Sequence, residues 1–369
     1  MLSCANVRNN SRLDCSSSSR KVRTTWEREL ASAGKRVVTT WAQLGPPTLK
    51  ASGCSSFQTS SSTRSMRLAP MAWRNAMNEE EIAMPFEIQA WDDVVEIARL
   101  TNKIPLLIRC FRGLVPGVSN IRLSQMKAVL EVACGPGVWM QEFAHVHQHI
   151  EVTGIDTRAT MVYQARERFK EQHLSDASAL LVSSYTKQLP FDDASFDLVS
   201  MQFVSLLVRV QEWDSLLKEC QRVLRPGGII RITEYELAQS NAPAHEQWSQ
   251  LCWQAHKHLG TSPSFSHRFL GWFCELEPLV TAIGFQECAS LPHVVNYAYG
   301  TPYHEAWMRD FNLQVSKYLP LMIEIGLIGA EQSVLLQQRI QQEMNLPHFH
   351  AIQFFLTVLG KKVPLSHLK

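Results

Sequence analysis

Gly135 and Gly137 stand one residue apart in the stretch Val-Leu-Glu-Val-Ala-Cys-Gly-Pro-Gly-Val-Trp-Met (129–140), where a tight turn free of Cβ atoms would let a ligand approach the backbone. The residues after the turn read as a helix, whose first N–H groups lack partners within the helix and can receive negative or polar groups. Farther on, Glu-Val-Thr-Gly-Ile-Asp (151–156) ends a short apolar run in a carboxylate. An acid at that place can accept from both hydroxyls of a ribose, and hydrogen bonds to a charged acceptor are worth about 1.5–3 kcal/mol each. Together these features suit the cradling of a nucleotide-type cofactor. Asp156 also precedes Thr-Arg-Ala-Thr-Met, so it reads equally as the N-cap of a helix, and the two roles are compatible.

The elements that would position these groups follow from the apolar pattern. Ala128 to Val132 and Glu151 to Asp156 predict two buried strands, with a helix after each. Downstream, a helical stretch is expected over His267 to Ile283, a strand near Phe285 to Val294, and a long final strand from Ala351 to Val363. Residues Asn296 to Pro347 form an extra segment between those last two strands. It holds Tyr303 and Trp307 and ends in the amphipathic run Glu331 to Met344.

At this point the chain resembles the class I S-adenosylmethionine-dependent methyltransferases, through four blocks in the family's order. They are Leu-Glu-Val-Ala-Cys-Gly-Pro-Gly (130–137), Gly-Ile-Asp (154–156) with Met161 and Ala165, Gln-Leu-Pro-Phe-Asp-Asp-Ala-Ser-Phe-Asp-Leu-Val (188–199), and Glu-Cys-Gln-Arg-Val-Leu-Arg-Pro-Gly-Gly-Ile-Ile-Arg-Ile-Thr-Glu (219–234). The match covers about residues 105 to 236 well and the rest loosely. It implies an α/β fold: a Rossmann-like, mostly parallel seven-stranded sheet with helices on both faces, the last strand antiparallel, and a helical insertion as substrate cap. It also implies S-adenosyl-L-methionine as cofactor, with Gly135 and Gly137 beside its methionyl part, Glu131 orienting the loop and the ammonium, and Asp156 on the ribose. Thr157 and Met161 fall where the family packs residues around adenine, and Met201 and Gln202 where the fourth strand ends beside the cofactor. Each of these four reads alternatively as ordinary core or strand-end packing.

Two positions depart from the family pattern. Ala133 replaces the first loop glycine and adds a methyl group near the cofactor. Tyr185 stands where many relatives have an Asp that accepts from the adenine amino group, so the hydroxyl of Ser184 or Tyr185 is expected to take that hydrogen bond, with less strength than a charged acceptor. The implied activity is methyl transfer to a small apolar or aromatic molecule, with Asn296–Pro347 and a helix around Trp91 to Leu100 roofing the acceptor pocket. The alternatives are a non-catalytic S-adenosylmethionine-binding regulatory or scaffold protein, and methylation of a macromolecule. No catalytic residue is assigned. A sulfonium needs little beyond an acceptor held in line, and Glu234, Tyr235, Glu236 and His267 are the candidate bases.

Composition fits such an enzyme. The 369 residues are 45% hydrophobic with a net charge of +2, enough for a full α/β core. The first 75 residues carry twelve Lys/Arg against three Asp/Glu, or +9, which leaves the remainder at about −7 and gives no reason to expect nucleic acid as substrate. No 18-residue apolar run occurs, so no membrane span is expected. Nine cysteines without a Cys-x-x-Cys pair suit a reducing, cytoplasmic setting. Cys134 reads as a small apolar turn residue rather than a nucleophile, and His145, His147 and His149 as a solvated helix end rather than a metal site. No metal is expected. Residues 1–76, rich in Ser and Arg, read as a disordered tail, a transit-like segment or sequence ahead of the true start at Met77, with the domain running over 77–369. A chain beginning at Met77 is expected to fold with its melting temperature within about 3 °C of the full protein, because the tail offers too little apolar area to offset its ordering entropy. A larger fall in a calorimetric scan would show that the tail packs on the body.

Overall fold

The computed structural model describes residues 94–261 and 271–363, all within the unit Glu80–Lys369. Residues 1–76, Trp91 and His267 lie outside them. Five strands run parallel at the centre: β1 (Ala128–Val132), β2 (Glu151–Asp156), β3 (Ala177–Leu181), β4 (Phe196–Gln202) and β5 (Leu224–Tyr235). They are followed by β6 (Gln239–Ser240), β7 (Phe285–Asn296) and β8 (Ala351–Lys362). The order is β3-β2-β1-β4-β5-β8, with β7 on the far side of β8. β8 runs antiparallel to both β5 and β7. The seven expected strands and the antiparallel last strand are therefore present. The addition is β6, which pairs Gln239 with Ile352 just beyond the pairing of Tyr235 with Phe355, and so carries the β5 edge onward after a break.

β1 is buried at all five positions, the pattern of a strand covered on both faces. Helices α1 (Val94–Cys110) and α2 (Asn120–Ser124) precede it, and α3 (Val138–Val146), α4 (Ala159–Glu171) and α5 (Trp213–Val223) lie between the parallel strands. α5 shows how these helices are specified: Trp213, Leu216, Leu217, Cys220 and Val223 recur at three- and four-residue spacing and are all buried. α6 (Pro243–Leu259) and α7 (Phe273–Ala282) follow β6. Between β7 and β8 stand α8 (His304–Glu324) and α9 (Ala330–Met344), both packed on α6.

α1 is longer than its expected end at Leu100 and continues through Pro105. A proline removes one helical hydrogen bond, but Leu106 and Leu107 just after it are buried in an apolar cluster with Trp248, Trp307 and Phe311, and that packing holds the helix together. α7 and α8 likewise run through Pro278 and Pro320. The stretch expected from His267 is helical from Phe273. α3 stops at Val146 with His147 as its C-cap, so the three histidines do sit at a helix end. Among the described residues, no helix is long and apolar enough to cross a membrane, and no group of three or more His, Cys, Asp or Glu is placed to hold a metal.

Gly137 is the N-cap of α3, at φ +73°, where an L side chain is strained. A Cβ there would also lie 2.8 Å from Phe169 Cζ and 2.9 Å from Ala165 Cβ, both on α4. Gly137→Ala is expected to destabilise the protein by about 1–3 kcal/mol, from strain and overpacking together. Chemical denaturation would read this as a lower midpoint at unchanged slope, and an unchanged midpoint would refute the packing account.

Candidate active site

Asp156, at the C-terminal end of β2, is fully buried. Its Oδ2 accepts from the Gly135 N–H at 2.9 Å, which ties the glycine turn to the end of the neighbouring strand. Its Oδ1 accepts from the Arg158 N–H at 3.0 Å, a turn closed two residues on. The N-cap position of α4 is Arg158 rather than Asp156, so the expected cap contact is displaced into that turn. The Arg158 guanidinium folds back on the same carboxylate, at 3.0 Å to Oδ1 and 3.1 Å to Oδ2. Ala133 begins the turn at φ +57°, a conformation that a glycine would adopt without strain.

A second polar group lies under the sheet. Glu131 on β1, Ser200 on β4 and Arg231 on β5 are register partners, so the three side chains share one face. Arg231 Nη1 donates to Ser200 Oγ at 3.0 Å, and Gln202 Nε2 donates to Glu131 Oε1 at 3.3 Å. Burial pushes the Glu131 carboxyl up to about 8, against the pull of the Arg231 charge. Burial also pulls Arg231 down to about 10. Among the described residues, Glu131 Oε2 has no hydrogen-bond partner.

A cavity of about 160 Å³ joins these groups to the helical layer. At one end Glu131, Ala133, Cys134, Gly135, Pro136 and Arg158 line it. At the other the wall is aromatic, with Phe203, Tyr235, Trp248, Trp307, Phe311 and Phe355. α1 spans both ends through Arg99, Leu100 and Lys103. Of the residues expected at a cofactor, the cavity brings together Glu131, Ala133, Gly135 and Gln202. Gly137 and Asp156 stand behind the wall and shape the turn. Thr157, Met161, Ser184, Tyr185 and Met201 are also absent from it. Met161 and Met201 are fully buried core residues. The Tyr185 hydroxyl accepts from the Thr157 N–H at 3.2 Å, and Ser184 Oγ accepts from the Thr186 N–H at 3.1 Å. The first bond joins the segment after β3 to the end of β2, 28 residues apart in sequence, and the second closes a local turn.

The candidate bases are placed differently again. Glu234 is buried and accepts from Ser205 N–H and Oγ, at 3.0 and 2.7 Å, while burial raises its carboxyl to about 7. Glu236 Oε1 accepts from Gly271 N–H at 2.8 Å. Neither lines the cavity; Tyr235 does, and burial pushes its phenol up. Cys134 lines the wall as well, with its thiol raised by burial, which leaves it a poor nucleophile.

Arg99, Lys103 and Asp310 line the cavity without having stood out individually in the sequence, and His256 lines it within the histidine- and tryptophan-containing stretch 237–263 expected to turn toward the acceptor. Their signal was helical spacing: Trp248, Cys252 and His256 are four apart on α6, and Trp307, Asp310, Phe311, Gln314 and Tyr318 follow the same period on α8. Burial lowers His256 to about 4, so its ring is neutral near neutral pH.

The raised carboxyl of Glu131 makes stability depend on pH. Folded, the group stays protonated up to about 8, whereas its ordinary value is 4.5, so its favourable state is complete below 4.5 and is lost as pH rises through about 8. Glu131→Gln, a neutral replacement of the same shape, is expected to lose less melting temperature than the parent between about pH 5 and pH 9. Parallel melting curves for parent and variant would show that Glu131 is ionised throughout.

Residues 129–228 match the family model described as a methyltransferase domain. Demethylmenaquinone methyltransferase of Listeria welshimeri is 33% identical over 128 residues, which are 34% of this chain and 52% of that protein. The enzyme of the same name from Staphylococcus aureus is 38% identical over 127 residues, 34% of this chain and 49% of that one. The chain thus spans about half the length of the curated relatives it matches. Among solved structures, Haemonchus contortus phosphoethanolamine N-methyltransferase 2 aligns with a TM-score of 0.41 at 16% identity, over 75% of this chain and 60% of that one. The segment from Val129 to Gly228 is a methyltransferase domain of the class I kind, whose cofactor is S-adenosyl-L-methionine.

Proposed function

We propose that the chain transfers a methyl group from S-adenosyl-L-methionine to a small apolar or aromatic acceptor. One observation carries this reading: a single cavity runs from the glycine turn to an aromatic wall, and a buried Glu131 oxygen without a partner among the described residues faces its turn end. An unsatisfied buried carboxyl oxygen is costly, and the ammonium of a bound cofactor would both donate to it and favour its ionised form. Gly135 and Ala133 would line the methionyl part. Asp156 would meet the ribose only once the Arg158 fork withdraws from it.

The cofactor supplies an already activated methyl group on a sulfonium. The chain's residues then have to orient the acceptor and exclude water, which can contribute about 7–11 kcal/mol. Trp248 and Trp307, 3% and 1% exposed, are suited to this. Their burial favours a small molecule over a protein or nucleic acid acceptor. His256, also in the wall, is lowered to about 4 by burial, which suits it to hydrogen-bond an acceptor rather than to take its proton near neutral pH.

Calorimetry with S-adenosylmethionine and its demethylated product is expected to show binding at a Kd well below about 1 mM, and labelled cofactor is expected to pass its methyl group to a component of a metabolite extract. Absence of binding to both sinks the reading; binding without transfer favours a regulatory protein. Trp307→Ala is expected to lower kcat/KM for that acceptor by about tenfold or more while the product's affinity stays within about twofold. Loss of cofactor binding in this variant would make Trp307 a core residue only, and Trp307→Phe, which keeps a ring, separates the two outcomes.

A further inference from the structure

Arg99 and Lys103 lie one turn apart on α1, and both line the cavity where its wall becomes aromatic. Both side chains are largely buried, at 12% and 11% exposure. They share one carboxylate on α8: Arg99 Nη1 donates to Asp310 Oδ1 at 2.8 Å, and Lys103 Nζ to Oδ2 at 2.5 Å. Arg99 also donates through Nε and Nη2 to Glu96, at 2.8 and 2.9 Å. The Lys103 ammonium stands 3.9 Å from the centroid of the Trp307 ring.

Donors and acceptors do not balance at this place. Every carboxylate oxygen in the group already accepts, since Lys317 reaches Glu96 Oε2 and Gln314 reaches Asp310 Oδ2. The cations still have N–H groups to give. An ammonium has three and a guanidinium five, while Lys103 uses one on Asp310 and Arg99 one from each of its three nitrogens. Among the described residues no further hydrogen bond or ion pair engages either cation. A ligand bearing a cation would find both acids taken, whereas an oxyanion would find charged donors beside a flat aromatic surface.

We propose that the aromatic end of the cavity takes an acceptor with a carboxylate-like oxyanion on a planar apolar body, the anion held by Lys103 and the outer N–H groups of Arg99. The inference rests on the proposed methyl transfer only in regarding this end as the acceptor's. Because the cofactor's sulfonium and ammonium outweigh its single carboxylate, it would bring a net positive charge, part of which an anionic acceptor offsets.

The test uses the full chain, with 2-naphthoate, neutral 2-naphthamide and cationic 2-naphthylmethylamine as probes in calorimetry, with and without the demethylated cofactor. The naphthoate is expected to bind about tenfold or more tighter than the amide. That preference should vanish in Lys103→Met, which keeps the length of the stem, and persist in Lys103→Arg. Equal or tighter binding of the amide or amine, or no binding of the naphthoate at about millimolar concentration, overturns the proposal, and the parent protein alone decides this should Lys103→Met not fold. Titration of the demethylated cofactor separates the two readings. If it binds and the probes show no preference, the oxyanion site alone fails; if the naphthoate is preferred and the cofactor does not bind, the methyltransferase reading fails instead.

Discussion

The hydrogen bond from the Gly135 N–H to Asp156 is the constraint on which the site depends. It fixes the turn after β1 to the end of β2, two elements otherwise joined there by the bond from Cys134 N–H to Ile155 O. A carboxylate with no exposure is expensive to bury, and this one is compensated by two backbone N–H groups and a guanidinium. The turn's glycines then sit at φ +53° and +73°, and the backbone at Gly135 stays open toward the cavity. Among the described residues, Arg158 is the partner of Asp156 that contributes a movable side chain.

The rest of the site is assembled from two layers of different character. The sheet supplies polarity at register positions, with Glu131, Ser200 and Arg231 on three adjacent strands. The helices supply an apolar wall and, on α1, a turn of charged residues braced against α8. α1 precedes the matched domain in sequence yet forms wall at both ends of the cavity. The turn and the aromatic wall are therefore bridged by one helix that lies outside the matched segment.

Much of this was legible in the sequence. β1 and β2 were readable to the residue because their apolar runs are continuous and end at a glycine turn and an acid. β8 was readable as a strand from its length and β-branched content, and its antiparallel direction only through the family resemblance. Less legible was the fate of individual polar groups. Tyr185 meets the N–H of Thr157, 28 residues before it, while Ser184 meets that of Thr186 just after it, and spacing in sequence reveals neither partner. The charges of α1 were hidden for another reason. Arg99 and Lys103 look like a solvated helix face until Asp310, more than two hundred residues away, is brought against them.

β7 and β8 pair along most of their length, from Phe285 with Lys362 to Asn296 with Ile352, and the whole of α8 and α9 is the connection between them. The two ends of that connection are therefore neighbours across a ladder, as in a hairpin whose loop has been enlarged. Closing a longer loop between fixed ends adds little entropy cost, roughly 0.6 kcal/mol per doubling. The connection can therefore change in length at small entropic cost wherever it keeps the apolar contacts that α8 and α9 make with β7, β8 and α1, and Trp307 and Asp310 travel with it. This part of the wall is thus free to vary as a cassette, apart from the strands that present the glycine turn.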